Sequence, residues 1–371
     1  MSRPRLLALQ RSPLGPLWAL LLMLTPAWIA VASALYLSGE IDLWFRDWSE
    51  PLVELLRSWP QPFAEIFAGD YGFITMGPLL LVWATPVVVI HSLLMSMYKV
   101  SGFLNHLTTA MSPWLRPFGI TGQELARVVM GFGCNVPAVI GTKSSPACYR
   151  GSCVSAITFG SACSYQLGAT LAVFAVAGRP ELVITYLLYL AATTLAFVRL
   201  ITRPSGRYPL NVLTSNQLDL LNWPHPREIW QEAQSVIIEF LKRALPIFLL
   251  MTAAVSILQW LGALQAASVV IEPTMAIFRL PSEVAPAIVF SSVRKDGILL
   301  LAEPSIATSL SAIQLLTAVY LAGVLLPCLI TCLTVMREHS RQFAFQLMGQ
   351  QAVAAIGFSC LLAWSGAWLW P

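Results

Sequence analysis

The sequence predicts an all-α fold: a polytopic membrane helical bundle of two inverted repeats, each containing a re-entrant or broken gate helix. Composition, long apolar runs and a second half that echoes the first all predict it. Of the 371 residues, 57% are hydrophobic and 11% charged. Ordinary soluble domains carry roughly a quarter charged residues, so a soluble fold is disfavoured.

Crossing a hydrocarbon core of about 30 Å takes roughly 20 apolar residues. Such runs occur at Leu17–Leu37, Phe73–Tyr98, Ser152–Ala177, Leu182–Leu200, Val236–Leu261, Thr308–Val335 and Phe343–Leu369. The first leads into Glu40-Ile41-Asp42 and is longer than a signal-peptide core, so a retained anchor helix is expected. Residues 39–66 carry Trp44, Trp48 and Trp59 among charges, which suits an amphipathic helix at the outer interface. Residues 201–232, with Pro204, Pro209, Pro224 and Pro226, read as a cytoplasmic linker. The expected plan is therefore four parts. Residues 1–66 hold an N-terminal cytoplasmic segment, first span and interfacial helix; 67–200 and 233–371 are the two gate repeats, joined by the linker at 201–232.

A net charge of +4 would suit nucleic-acid binding only if the cations clustered, and they sort by loop instead. Fifteen basic residues, from Arg3 to Arg341, fall on one side of the threading, and Arg46, Arg57, Arg179 and Arg279 on the other. The positive-inside bias then puts the N-terminus of a multi-pass membrane protein in the cytoplasm. Arg127, Arg294 and Lys295 are left at membrane depth. The seven cysteines lie mostly in spans or at their ends, so disulfides are not expected to hold the fold.

Sliding one half over the other by 160 residues aligns Pro113 with Pro273, Phe118 with Phe278, Ile120 with Leu280 and Val129 with Val289. It also lays Cys134-Asn135 on Arg294-Lys295. Each half then reads as a long span, an interrupted segment and two more spans, the inverted-repeat pattern of secondary transporters.

The first interrupted segment centres on Gly131-Phe132-Gly133-Cys134-Asn135-Val136-Pro137-Ala138. Two glycines and a proline so close together oppose a straight helix. Backbone freed at membrane depth has to pack inside protein or line a wet cavity. Unwound carbonyls, the Cys134 thiol and the Asn135 amide would then meet, and a thiolate favours transition metals over Na⁺ or Ca²⁺. A plain kink with a buried cysteine is the competing reading, since free cysteine often serves as a small apolar residue. Cys163, in Ser161-Ala162-Cys163-Ser164-Tyr165-Gln166, and Cys328, after Pro327, are further candidates inside apolar runs. Gln166 suits either a pathway lining or an interhelical hydrogen bond.

The matching segment of the second half reads Ser291-Ser292-Val293-Arg294-Lys295-Asp296-Gly297. Such charges at membrane depth are costly unless Asp296 pairs with Arg294 or Lys295 and the cluster faces water. Asp70, in Gly69-Asp70-Tyr71-Gly72, is expected to cap a helix or to stand at a cation entrance. No phosphate loop and no His-Glu-x-x-His or Cys-x-x-Cys motif occurs, so neither nucleotide hydrolysis nor a metalloenzyme is expected.

The Gly131–Ala138 segment resembles the first gate motif of the ferrous iron transporter B (FeoB) family. The likeness extends through Gly69-Asp70-Tyr71-Gly72, Cys163-Ser164-Tyr165-Gln166-Leu167-Gly168, Phe240-Leu241-Lys242-Arg243-Ala244 and Pro327-Cys328. Arg294-Lys295-Asp296-Gly297 is similar to the second gate in part of that family. The resemblance implies a non-enzymatic, membrane-domain permease without the family's N-terminal G-protein domain. It implies Fe²⁺ as transported ion and no permanently bound cofactor. Cys134, Cys163, Cys328 and Asn135 would be its metal contacts, and Gly131, Gly133, Pro137, Gln166, Ser291, Ser292, Arg294, Lys295 and Asp296 its gate and pathway residues. Expected partners are the lipid bilayer and the metal ion, with a separate GTPase subunit, small Feo-type proteins or a second copy in a homo-oligomer as further candidates, and no nucleic acid. One departure is Ser96-Met97-Tyr98-Lys99-Val100-Ser101-Gly102, where the family commonly has an acidic pair just before Ser-Gly. The alternatives are a FeoB-like permease for another solute, such as another metal or a nucleoside, and a non-transporting subunit that docks a partner through residues 201–232.

Overall fold

The computed structural model describes residues 14–69, 72–145, 147–202 and 223–369. Asp70 and most of the expected linker lie outside the described residues. Among those described there is no strand, as expected where each backbone group must find its partner inside its own segment.

The first half comprises α1 (Gly15–Arg57), α2 (Phe63–Ala68), α3 (Phe73–Val100), α4 (Phe103–Leu115), α5 (Gly122–Gly131), α6 (Asn135–Gly141), α7 (Ala147–Gly160), α8 (Ser164–Val176) and α9 (Leu182–Ile201). The second comprises α10 (Pro226–Glu239), α11 (Leu245–Trp260), α12 (Ala263–Ile271), α13 (Ala285–Val293), α14 (Pro304–Ser309), α15 (Ala312–Val324), α16 (Leu329–Glu338) and α17 (Arg341–Leu369). Five described spans are long and apolar enough to cross a membrane, or seven if each of two sharply bent helix pairs counts as one.

Three expectations need correction. The interfacial helix at 39–66 is not separate, because α1 runs unbroken to Arg57; only Pro51 interrupts its ladder there, and a proline removes a single N–H. The run Ser152–Ala177 is broken at Ser161–Cys163, and Thr308–Val335 at Leu325–Cys328. At the first break Ser161 Oγ turns to the carbonyl of Val128 at 2.7 Å in another helix, and at the second Pro327 lacks an N–H. The last residues expected in the linker belong to α10, which starts with Pro226 in its first turn and packs along α3. The turn Phe240–Ala244, between α10 and α11, is a π-helix.

The repeat is visible in the backbone. The bends after α3 and after α11 are 84° and 76°. Each turns on a left-handed glycine, Gly102 at φ 73° and Gly262 at φ 70°, where a Cβ would be strained. Gly119 at φ 80° and Arg279 at φ 54° form a second matched pair. Arg279 tolerates a conformation that disfavours side chains because its guanidinium lies over the Trp364 ring at 4.3 Å and its carbonyl accepts from Gln314 Nε2 at 2.9 Å.

Packing between the halves is reciprocal. The 3₁₀ segment Lys295–Ala302, downstream of the second gate break, packs on α8; its first-half counterpart, α6, packs on α16. Each gate therefore leans on the broken span of the other half. The continuous core runs through both halves and holds Tyr186 and Tyr320 fully buried.

Candidate functional site

The four breaks carry the site. Cys134 precedes α6 in extended backbone (φ −156°, ψ 133°), and Arg294 precedes Lys295–Ala302 with nearly the same angles (φ −136°, ψ 132°). Cys163 (φ −60°, ψ 164°) and Cys328 (φ −58°, ψ 149°) likewise occupy equivalent positions ahead of α8 and α16. Equivalent backbone thus presents thiols at three of the four breaks and a guanidinium at the fourth.

Asn135 and Lys295, the next residues at the two gate breaks, do the same job with different chemistry. Asn135 is buried, and its Nδ2 donates to the carbonyl of Ser161 at 3.3 Å, inside the break of its own half. Lys295 is buried, and its Nζ donates to the carbonyls of Ala322, Gly323 and Leu326 at 3.2, 2.7 and 2.6 Å. The end of α15 would otherwise leave these carbonyls unpaired at membrane depth. An ammonium is suited to the place: its charge meets the negative end of the helix, and its three donors match three acceptors.

Arg294 reaches Asp296 through Nε at 3.1 Å and Nη2 at 2.5 Å, and Thr252 Oγ1 through Nη1 at 3.2 Å. The pairing of Asp296 expected from sequence therefore goes to Arg294, while Lys295 serves backbone.

The structure brings the three candidate cysteines into one region. Cys134, Tyr165 and Cys328 pack around Val88, Val136, Phe240 and Ile330, and Cys163 lies within electrostatic reach of Cys328 and Lys295. All six described cysteines are free thiols. Among the described residues, no three His, Cys, Asp or Glu side chains converge as a ready-made metal cage. Each of the three breaks carries a single thiol rather than a cluster.

The glycines and serines of the two gates are tightly fitted to the backbone around them. A Cβ on Gly131 would fall 2.5 Å from Ser161 Oγ, and one on Gly133 would fall 3.0 Å from His91 Nδ1. Ser291 and Ser292 both donate back to the carbonyl of Ile288. Gln166 is buried, and its Nε2 donates to Tyr186 Oη at 2.8 Å, so it joins helices rather than facing the cavity.

A cavity of about 340 Å³ opens beside the first gate, with Gly133, Cys134, Pro137, His91, Arg127 and Met130 on its wall. Lys99 and Glu232 line it as well and form an ion pair from α3 to α10. Arg127 stands 3.6 Å from Glu124. Sequence reasoning missed both His91 and the Lys99–Glu232 pair. The signal for His91 was a histidine followed by Ser92 and Ser96 inside an apolar run; for Glu232 there was none, since its partner is distant in the chain.

Fold and site together define a helical membrane protein with a cavity at a broken gate helix. Residues 81–178, which contain α5, α6, α7 and α8, match the family model described as Gate: Nucleoside recognition. The chain is similar to the Fe(2+) transporter FeoB of Synechocystis sp., 36% identical over 58 residues, which is 16% of this chain and 9% of that protein. It is also similar to the Fe(2+) transporter FeoB of Staphylococcus aureus strain COL and of strain N315, 25% identical over 131 residues in each, 35% of this chain and 19% of theirs. The matches thus span between about a tenth and a fifth of the relatives' own length. No solved structure matches. Residues 81–178 are thus similar to a gate domain, and the chain resembles the FeoB membrane domain, as the Gly131–Ala138 segment implied.

Proposed function

We propose that this chain is an inner-membrane permease for a divalent transition metal, most simply one that takes up Fe²⁺, with Cys134 as the first thiol the ion meets. The observation that carries this reading is the placement of Cys134. It sits at the break of a gate helix, on the wall of a cavity, in a chain whose relatives bear the name Fe(2+) transporter. Cys163 and Cys328 follow as further transient ligands, and the ion exchanges stepwise between soft donors. Arg294, Lys295 and Asp296 fix the second gate. The two halves sit inverted about the membrane plane, with the N-terminus cytoplasmic.

The test is Fe²⁺ uptake under reducing conditions into proteoliposomes holding the full chain, with Mn²⁺, Zn²⁺ and Co²⁺ as competitors. Saturable uptake that Cys134→Ser removes supports the reading. Fe²⁺ uptake unaffected by that change removes Cys134 from the path, whereas no Fe²⁺ uptake by folded protein, with a nucleoside taken up instead, moves the substrate class to an organic solute. That outcome would accord with the gate family's description.

A further inference from the structure

The cavity beside the first gate holds a donor that the gate motif does not account for. His91, on α3, is 5% exposed and lines this cavity. Its ring packs so closely on the backbone ahead of Cys134 that a Cβ at Gly133 would lie 3.0 Å from Nδ1. Its Nε2 has no hydrogen-bond partner among the described residues. A buried imidazole nitrogen without a partner is uncommon, because each ring nitrogen is either an obligatory donor or an acceptor.

The geometry points to His91 and Cys134 as a two-donor site for a borderline divalent metal ion such as Fe²⁺, Co²⁺ or Zn²⁺ on the wall of this cavity. The proposal rests on the permease reading and adds its ligand set. Imidazole nitrogen and thiolate sulfur both suit these ions, whereas Mg²⁺ and Ca²⁺ prefer oxygen. Two protein donors leave the remaining positions to water from the cavity, which keeps residence short. Local charge does not oppose the ion, since Lys99 pairs with Glu232 and Arg127 stands beside Glu124.

The test uses the purified full chain in nanodiscs, kept reduced with a phosphine and titrated with Co²⁺. Maleimide modification of Cys134 and diethyl pyrocarbonate modification of His91 are each read by peptide mass spectrometry. The expected result is that Co²⁺ protects both residues over one concentration range while Mg²⁺ protects neither. In His91→Gln, the Co²⁺ concentration that half-protects Cys134 should rise at least tenfold. Protection of Cys134 that is unchanged in His91→Gln, or that leaves His91 of the unmutated chain fully reactive, overturns the His91 assignment and leaves the permease reading standing. Failure of Co²⁺ to protect either residue removes both. The unmutated chain supplies the His91 measurement even if the variant does not fold.

Discussion

At the residue scale, the most consequential side chain is Lys295, because its ammonium closes three carbonyls at once. Replacing it by Met orphans all three, at a cost on the order of 3 kcal/mol or more. Thermal unfolding in detergent should show a clear loss of stability. Lys295→Arg should restore little of it, because a planar fork does not converge on one nest as an ammonium does. Gly131→Ala should also destabilise, by about 1–3 kcal/mol, since the new methyl collides with Ser161 in a packed region. Gly168→Ala, in a helix where a Cβ meets nothing within 4 Å, should be neutral or stabilising by up to about 1 kcal/mol. A Gly131→Ala protein as stable as Gly168→Ala would contradict this packing. These residues were unequally legible from sequence. The chemistry at Cys134 could be read because two glycines and a proline announce a break. The carbonyls that Lys295 serves lie 27 to 31 residues away, and no local pattern encodes such a contact. His91 is one polar residue in an apolar run, where the hydrophobic pattern outweighs it.

At the element scale, α10 is held to α3 by the exposed Lys99–Glu232 pair. An exposed pair contributes at most about 1 kcal/mol, so its role lies in the field at the cavity rather than in stability. Lys99→Gln leaves the Glu232 carboxylate uncompensated and should lower the apparent KM for a divalent cation about two- to threefold at low salt. The gain should fade above about 0.15 M salt, where screening acts within ~8 Å. Uptake kinetics at two ionic strengths decide it. The junction of α16 and α17 carries a pH dependence. Burial, with Arg150 and Lys143 nearby, pushes the His339 imidazole below its ordinary 6.5, while Glu338 opposes the shift. Folded His339 therefore resists a proton that the unfolded chain accepts. Its contribution to stability is intact above pH 6.5 and is lost as pH falls below it. Thermal unfolding between pH 7.5 and 5.5 should fall less steeply in His339→Gln; an unchanged slope would exclude His339 as the group responsible. The elements themselves were legible where the apolar runs were continuous. The breaks at Ser161–Cys163 and Leu325–Cys328 were not: the polar patch Ser161–Gln166 reads equally well as one face of a continuous helix, and Leu325–Cys328 sits inside an apolar run.

At the scale of the whole molecule, the two halves share a backbone plan and pack reciprocally, each gate on the other half's broken span. The 160-residue offset found in the sequence fits Gly102 with Gly262, Gly119 with Arg279 and Cys134 with Arg294. It fails for Cys163 and Cys328, which match in backbone but lie 165 residues apart, so an ungapped comparison could not pair them. The charge sorting predicts an orientation that can be measured. Trp223 is exposed at the start of the described second half. In Trp223→Cys, an impermeant maleimide should label that residue in inside-out vesicles and not in right-side-out ones. The reverse pattern would invert the assignment.

The Lys295 ammonium has a consequence for the proposed permease. Two structurally equivalent nests invite a relay in which an arriving ion pushes out the one ahead, the usual route to channel-like throughput. Here one nest is permanently filled by a cation that cannot leave, because it is covalently part of the chain. In the first half the equivalent place is served by the neutral amide of Asn135, so no fixed cation stands there. If the chain is the permease proposed above, its flux should plateau at low concentration and show the counterflow of a carrier, with the second half acting as a fixed counterweight to the first.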